Sequence, residues 1–233
     1  MKDAASVSIA VAPDLTVSGL LLVPERPVAC FVLAHGAGAG MTHPFMAAVA
    51  TGLGERGVAT LRYQFPYMER RSRRTDPPAL AQAAVRAAVS EANRRLPRLG
   101  LVAGGKSFGG RMTSQAQAEA PLAGVHGLAF LGFPLHPAGK PSATRARHLG
   151  DVGIPMLFLQ GTRDALADPS LVREVAAQLG ARATLVEFAD ADHSFHVPAR
   201  SGRTDDAVRA ELLDALAGWI GGWGGVRAAS SSR

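Results

Sequence analysis

Short apolar runs alternate with longer amphipathic segments along most of this 233-residue chain. The apolar runs lie at residues 7–11, 17–23, 28–34, 58–63, 99–103, 127–133, 156–160 and 184–188. The first two predict an antiparallel pair, and the other six have the nearly continuous hydrophobicity of strands that are buried on both faces. Alternation of such strands with helices is typical of α/β proteins, so we predict a mostly parallel central sheet with helices on both faces.

The amphipathic segments carry recognisable start signals. Asp76 and Asp168 each precede a proline, which predicts an N-cap followed by a proline in the first helical turn. Apolar residues then recur about every four positions in both segments, and Gly180 is the expected end of the second helix. Thr204 predicts the cap of a last helix.

The length of the chain suits one domain with a sizeable core. We predict a single α/β domain over residues 1–223 and a flexible C-terminal tail over residues 224–233. Residues 134–153 form the longest irregular stretch, which has room for a small flap but not for a large cap domain.

Composition narrows the functional classes. The formal net charge is +6, and the densest basic cluster is formed by Arg70, Arg71, Arg73 and Arg74. No nucleic-acid-binding motif accompanies this cluster, so we interpret it as a solvated loop and expect no nucleic-acid partner. The single cysteine, Cys30, lies in an apolar run, which predicts a buried residue in a reducing compartment, the cytoplasm. The N-terminus lacks a signal-peptide pattern and no run of about 18 apolar residues exists, so we expect no membrane span.

The most informative motif is Gly-Lys-Ser-Phe-Gly at residues 105–109, which is G-x-S-x-G directly after an apolar run. Such a motif can hold a serine on a tight strand-to-helix turn with its hydroxyl exposed. Residues 100–107 also match G-x-x-x-x-G-K-S, the phosphate-binding P-loop. A P-loop begins after its strand, whereas Gly100 precedes the apolar residues, and Gly109 and Gly110 are poor residues for the helix that must follow. We therefore favour Ser107 as a nucleophile.

A nucleophilic serine needs a histidine base and an acid that orients the histidine, and in this arrangement both follow the serine along the chain. Asp164 follows the apolar run at 156–160, and His193 follows the run at 184–188. The competing residues are Asp168, which already fits a helix cap, and His196, which lies further from the last strand. We predict Ser107, Asp164 and His193 as the catalytic residues.

Residues 35–40, His-Gly-Ala-Gly-Ala-Gly, directly follow the run at 28–34. Glycines allow the backbone to approach a substrate closely, and a loop at this place can donate hydrogen bonds to a tetrahedral oxyanion. We predict the backbone N–H groups of Ala37 and Phe108 as these donors, with Gly38 as the alternative to Ala37. The other interpretation is an ordinary glycine-rich turn.

Four motifs together resemble the marks of the α/β-hydrolase superfamily, over roughly residues 17–220. They are His-Gly at 35–36, Gly-Lys-Ser-Phe-Gly at 105–109, Gly-Thr-Arg-Asp at 161–164 and Asp-His-Ser-Phe at 192–195. Residues 35–46 and 61–69 further resemble a branch of small, capless, dienelactone-hydrolase-like proteins, which includes bacterial predicted hydrolases and a domain of a eukaryotic chromatin-complex subunit. The resemblance implies the α/β-hydrolase fold and the triad positions, although dienelactone hydrolases have cysteine where this chain has Ser107.

These motifs predict a serine hydrolase that cleaves a small-molecule ester, thioester or related acyl bond, and they imply no metal or organic cofactor. The alternative is a hydrolase-like interaction module without catalysis. Because both branch-specific stretches follow strands, residues within them are pocket-wall candidates or structural residues: His35, Gly36, Gly38, His43, Arg62, Tyr63 and Tyr67. We expect Lys106, beside the nucleophile, to point outward into solvent, and the alternative is that it favours anionic substrates.

Overall fold

The computed structural model of the chain describes residues 3–224 and contains one eight-stranded sheet. The strands are β1 Ala5–Ala12, β2 Leu15–Leu22, β3 Ala29–Ala34, β4 Val58–Tyr63, β5 Gly100–Lys106, β6 Val125–Leu131, β7 Met156–Gly161 and β8 Ala183–Phe188. Their order in the sheet is β1-β2-β4-β3-β5-β6-β7-β8. The pairs β1/β2 and β2/β4 are antiparallel and the others are parallel, which confirms the predicted mostly parallel sheet.

Six helices cover the two faces of the sheet. They are α1 Pro44–Glu55, α2 Pro66–Glu69, α3 Pro78–Arg95, α4 Phe108–Glu119, α5 Pro169–Leu179 and α6 Asp205–Gly224, with short 3₁₀ turns at Thr144–Asp151, Gly180–Arg182 and Ala199–Ser201. Gly224, predicted as the start of the tail, is the last residue of α6, and the rest of the predicted tail lies outside the described residues. None of the helices within residues 3–224 combines the length and apolarity needed to cross a bilayer.

The apolar core lies in two layers, one on each face of the sheet. Helices α1 and α6 contribute Met46, Leu53 and Leu212 to one layer, and α3 and α4 contribute Val85 and Met112 to the other. All residues of β3, β4 and β7 are buried, as expected of strands covered on both faces. Cys30 of β3 is fully buried as predicted, and burial raises the pKa of its thiol to about 12.

The strand order reverses direction in the middle of the sheet. From β3 the chain first moves outward to β4 and then returns to the other side of β3 to form β5. In open α/β sheets, ligands bind at the carboxyl ends of strands where the order reverses in this way. The loop after β3 and the serine after β5 therefore lie at the edge where a site is expected.

Two predicted helix caps are confirmed. The Asp168 carboxylate accepts hydrogen bonds from the backbone N–H groups of Ser170 and Leu171 at the start of α5. The Thr204 hydroxyl accepts one from the Ala207 N–H at the start of α6. These side chains satisfy donors that lack an intrahelical partner.

The predicted cap at Asp76 is wrong, because α3 begins at Pro78 with Pro77 at its N-cap. The buried Asp76 carboxylate instead accepts the Tyr67 N–H at 2.9 Å and the Arg70 guanidinium at 2.7 Å. A proline at 78 removes one N–H that an Asp76 cap would bind, and a buried carboxylate is better satisfied by a cation and an N–H together. The basic cluster thereby contributes a half-exposed Arg70 to an ion pair with a buried carboxylate.

The irregular stretch at residues 134–153 holds the 3₁₀ turn Thr144–Asp151, whose Ala146 and Leu149 are buried in the core. This stretch connects β6 to β7 and packs beside α4. It adds no large cap over the sheet edge, in agreement with the predicted capless fold.

Candidate active site

Ser107 is the single residue between the end of β5 and the start of α4. Its backbone has φ 50° and ψ −115°, and a positive φ is costly for a residue other than glycine. Such strain persists only where the surroundings fix it. The turn presents the hydroxyl at the carboxyl end of β5.

The glycines around Ser107 are required because neighbouring backbone lies too close for a side chain. A Cβ at Gly105 would lie 2.1 Å from the Ala34 carbonyl oxygen, and one at Gly109 would lie 2.6 Å from that of His35. Both contacts join the turn to the end of β3. Gly109 and Gly110 do stand in the first turn of α4, so their low helix propensity does not prevent a helix here, contrary to our expectation.

The P-loop interpretation does not fit the structure. Residues 100–106, which would have to wrap around a phosphate, are all in β5 and pair with β3 and β6. No loop is left between the first glycine of that motif and Ser107.

A continuous chain of hydrogen bonds joins the three predicted catalytic side chains. The His193 Nε2 lies 2.9 Å from the Ser107 Oγ, and the His193 Nδ1 lies 2.6 Å from the Asp164 Oδ2. A carboxylate only accepts hydrogen bonds, so His193 carries its proton on Nδ1 and leaves Nε2 free to accept from the Ser107 hydroxyl. In this tautomer His193 can take the serine proton.

Asp164 is buried and has donors on both carboxylate oxygens. Its Oδ2 also accepts from the Gln160 side-chain amide at 2.6 Å, and its Oδ1 accepts from the Leu166 N–H at 2.8 Å. Gln160 in turn accepts the Phe133 N–H at 2.9 Å, so it ties Asp164 to the segment after β6. The sequence carries only one sign of this role of Gln160, a polar residue near the end of an otherwise apolar strand.

The competing residues lie elsewhere. Asp168 is used as the cap of α5. His196 is exposed, and its Nδ1 lies 2.8 Å from an Asp205 carboxylate oxygen, which raises the pKa of the imidazole through this hydrogen bond. Neither residue contacts Ser107.

The loop after β3 leaves a backbone donor free beside the serine. Within residues 3–224, neither the Ala37 N–H nor the Phe108 N–H has a hydrogen-bond acceptor, and Ala37 lines the same cavity as Ser107. The Gly38 N–H, in contrast, donates to the Tyr67 hydroxyl at 2.9 Å. Because that donor is already used, Ala37 is the better placed of the two predicted alternatives.

Side chains from residues 61–69 hold the loop that follows β3 through hydrogen bonds to its backbone. The Arg62 guanidinium donates to the Met41 carbonyl oxygen at 3.1 Å, and the Gln64 side chain accepts the Met41 N–H at 2.8 Å. Together with Tyr67, these side chains hold the loop at two places. The two branch-specific stretches of the sequence thus form one unit, in which the second fixes the shape of the first.

His35 is fully buried and belongs to the same support. Its Nε2 accepts the Phe65 N–H at 3.0 Å, so its proton is on Nδ1, which lies 2.7 Å from the Gly36 carbonyl oxygen. Burial lowers the pKa of His35 to about 4, and the Gly36 carbonyl opposes this shift. His35 is therefore neutral near pH 7 and serves structure.

A cavity of about 350 Å³ opens at Ser107 and His193. Its other lining residues are Gly36, Ala37, Ala39, His43, Phe45, Met46, Lys106, Leu166 and Ser194. Of the predicted wall residues, only Gly36 and His43 line it, and His43 also caps α1 by accepting the Phe45 N–H at 3.2 Å. The remaining candidates, His35, Gly38, Arg62, Tyr63 and Tyr67, do not line it, because all but the loop residue Gly38 are buried behind the loop.

Lys106 does not point into solvent, contrary to our expectation. Its amine donates a hydrogen bond to the His193 backbone carbonyl oxygen and lies 5.4 Å from the centroid of the Phe195 ring. Burial lowers the pKa of Lys106 to about 8, an effect opposed by the carboxylates of Asp164 and Asp192. The sequence placed Lys106 beside the nucleophile but held no sign that the His193 loop folds over it.

Comparison with known proteins identifies a family. A family model described as alpha/beta hydrolase domain matches residues 27–221.

Three solved structures have a similar fold. An α/β serine hydrolase without a lid from Xanthomonas campestris is 22% identical, with a TM-score of 0.73 over 94% of this chain and 96% of that chain. A dienelactone hydrolase from Anabaena variabilis is 23% identical, with a TM-score of 0.72 over 94% and 95%. The esterase domain of a Rhodothermus marinus protein is 16% identical, with a TM-score of 0.73 over 96% and 100%. At these identities the structural likeness establishes the fold.

Proposed function

The chain belongs to the alpha/beta hydrolase domain family, and we propose that this hydrolase cleaves a small ester, thioester or related acyl bond through a serine nucleophile. The observation that carries the proposal is the hydrogen-bonded chain from Ser107 through His193 to Asp164. Serine, base and orienting acid stand in the roles that acyl transfer requires.

In the proposed mechanism, His193 Nε2 removes the hydroxyl proton while Ser107 Oγ attacks the acyl carbon. Asp164 keeps the His193 proton on Nδ1 and stabilises the imidazolium that forms. The imidazolium then protonates the leaving group, and a water activated by the same histidine hydrolyses the acyl-enzyme.

The backbone N–H groups of Ala37 and Phe108 are the proposed donors to the tetrahedral oxyanion. Both are free of other acceptors within the described residues, so no existing hydrogen bond has to break when the oxyanion forms. Fixed donors of this kind are each worth about 10²–10³ in rate.

The cavity supports a small, partly apolar substrate. Its volume of about 350 Å³ is near the lower end for ligand sites. Ala39, Phe45, Met46 and Leu166 supply apolar surface beside the serine. We propose a short acyl group, and we keep the cytoplasm as the proposed location because an unpaired cysteine suits a reducing compartment.

The test is hydrolysis of p-nitrophenyl esters and acyl-thioesters that range from acetyl to dodecanoyl. We expect kcat/KM to be highest for short acyl groups and Ser107→Ala to lower kcat by about 10⁴-fold or more. Ser194→Ala is the matched control, since Ser194 is an exposed serine of the same cavity, and it should retain most of the rate. Equal rates in wild type and Ser107→Ala would contradict the proposal. Absence of turnover together with absence of serine labelling would favour a non-catalytic interaction module.

A further inference from the structure

His193 is held at its main chain as well as at its ring. The Lys106 amine donates to the His193 carbonyl oxygen, while the ring nitrogens contact Ser107 and Asp164. Lys106 and Ser107 are consecutive residues at the end of β5. Lys106 therefore binds the backbone of His193, and Ser107 is hydrogen-bonded to its ring.

The amine has close neighbours on two sides. A Cβ at Gly132, which follows β6, would lie 2.9 Å from the Lys106 Nζ and 3.4 Å from two atoms of the His193 ring. On another side the amine faces the Phe195 ring at 5.4 Å, a favourable cation–aromatic distance. The amine thus has one defined position between β6 and the His193 loop.

The loop that carries His193 is irregular and depends on specific contacts. Asp190 and Phe195 have left-handed φ values of 60° and 64°. The Asp192 carboxylate accepts the N–H groups of Ser194 and His196, which fixes the shape of the loop from within. The Lys106 hydrogen bond differs from these, because it attaches the loop to the strand that bears the nucleophile.

We propose that Lys106 is a positioning residue that holds the His193 carbonyl and so keeps Nε2 in hydrogen-bond reach of the Ser107 hydroxyl. The inference rests on the proposed function and adds a residue to it. A displacement of about 1 Å between reacting groups can cost about 10²-fold in rate. Lys106 also lines the cavity, but its amine is bonded to the His193 carbonyl oxygen, so its loss should lower kcat more than it changes KM.

The charge of the Lys106 amine also affects the stability of the folded state. Asp164, Asp192 and the His193 ring are the titratable groups that face the amine. Burial lowers the pKa of Lys106 to about 8 from an unfolded value of 10.5. The folded state therefore holds the charge at a cost in stability below pH 8, a cost that vanishes above pH 10.5. Removal of the amine relieves this cost at pH 7 but also removes the hydrogen bond to the His193 carbonyl oxygen, so the kinetic constants are the readout of the positioning role.

The experiment compares Lys106→Met, which keeps the aliphatic stem, with Lys140→Met as a control at an exposed lysine. We expect Lys106→Met to lower kcat about 10- to 10²-fold with little change in KM, and Lys140→Met to behave like wild type. Lys106→Cys treated with 2-bromoethylamine regains an amine on a side chain of similar length and should recover most of the lost rate. Cys30 is fully buried, and wild type treated in the same way controls for its reaction.

A second readout separates this inference from the proposed function. Nitrogen NMR of the histidine side chains, with His193 assigned through His193→Gln, reports the His193 tautomer without any substrate. Wild type and Lys106→Met should both hold the proton on Nδ1 through Asp164, whereas the Nε2 signal should lose the shift caused by the Ser107 hydrogen bond only in Lys106→Met, even if no ester is cleaved. Unchanged His193 signals in Lys106→Met, or a rise in KM with unchanged kcat, would overturn the inference.

Discussion

The Asp164 carboxylate is surrounded by three donors, from Gln160, Leu166 and His193. In Asp164→Asn, a donating NH₂ group replaces one accepting oxygen, and His193 is then favoured in the tautomer with its proton on Nε2. That tautomer cannot take the Ser107 proton. We expect kcat to fall on the order of 10⁴-fold, the loss known for the equivalent change in a well-studied serine protease. Ester turnover and circular dichroism measure rate and folding.

Asp168→Asn is the matched control for this change. Asp168 is the cap of α5, and asparagine caps a helix nearly as well as aspartate. The variant should lose less than about twofold in rate and little stability. A collapse of rate only in Asp168→Asn would assign the acid to that residue instead.

At the residue scale, the sequence predicted the three central residues of the candidate site but not the residues that hold them in position. Ser107, Asp164 and His193 stand at strand ends, and a strand end is visible in a hydropathy pattern. Gln160 and Lys106 act through partners about 30 and 90 positions away, on Phe133 and His193. Nothing local to either residue indicates such a partner. At Asp76 a local pattern did exist and predicted a helix cap, but the carboxylate binds the Arg70 guanidinium and the Tyr67 N–H instead.

At the scale of elements, hydropathy located all eight strands but not all of their ends. Strand β5 was predicted over residues 99–103 and runs from Gly100 to Lys106. Gly104 and Gly105 lie beyond the predicted strand, yet they are strand residues with neighbouring backbone against them. A Cβ at Gly104 would lie 1.9 Å from the Ala129 carbonyl oxygen of β6. Glycine is required here because neighbouring strands pack closely. The sequence alone does not distinguish such a glycine from one in a turn.

This packing predicts a sharp difference between two glycine substitutions. Gly105→Ala places a methyl group 2.1 Å from the Ala34 carbonyl oxygen. It should therefore separate β3 from β5 and lower the free energy of unfolding by about 3 kcal/mol or prevent folding. Gly218→Ala lies in α6 with no atom within 4 Å of the added methyl. It should raise stability by about 0.5–1 kcal/mol. Urea denaturation midpoints measure both, and a neutral Gly105→Ala would contradict this account of the turn.

At the scale of the whole molecule, the reversal of strand order beside β3 brings the candidate site together. It places the loop after β3 beside the serine after β5, while β7 and β8 deliver Asp164 and His193 to the same sheet edge. The fold class and this edge follow from the strand pattern. The support of residues 35–46 by residues 61–69 does not, because it depends on side chains that cross between two loops.

The buried His35 and the partly buried His148 predict how stability changes with pH. Burial lowers the pKa of His35 to about 4, and burial together with Arg111 lowers that of His148 to about 4. Both values lie below the unfolded value of 6.5, so the unfolded state binds more protons in this range. Stability should be full above pH 6.5 and fall as the pH drops toward 4. Urea midpoints between pH 7 and pH 4.5 should show a weaker pH dependence in His35→Gln and in His148→Gln. An unchanged dependence in both variants would contradict the assignment.

The most direct test of the central claim is covalent labelling of the serine. A fluorophosphonate reacts with a serine that a histidine activates, because the hydroxyl oxygen attacks phosphorus as it would attack an acyl carbon. Intact-mass analysis of wild type should show one adduct, and peptide mapping should place it on Ser107. Ser107→Ala should remain unlabelled, and Asp164→Asn should label far more slowly than Asp168→Asn. A folded wild-type protein that takes up no label, or a label that persists in Ser107→Ala, would contradict Ser107 as the nucleophile.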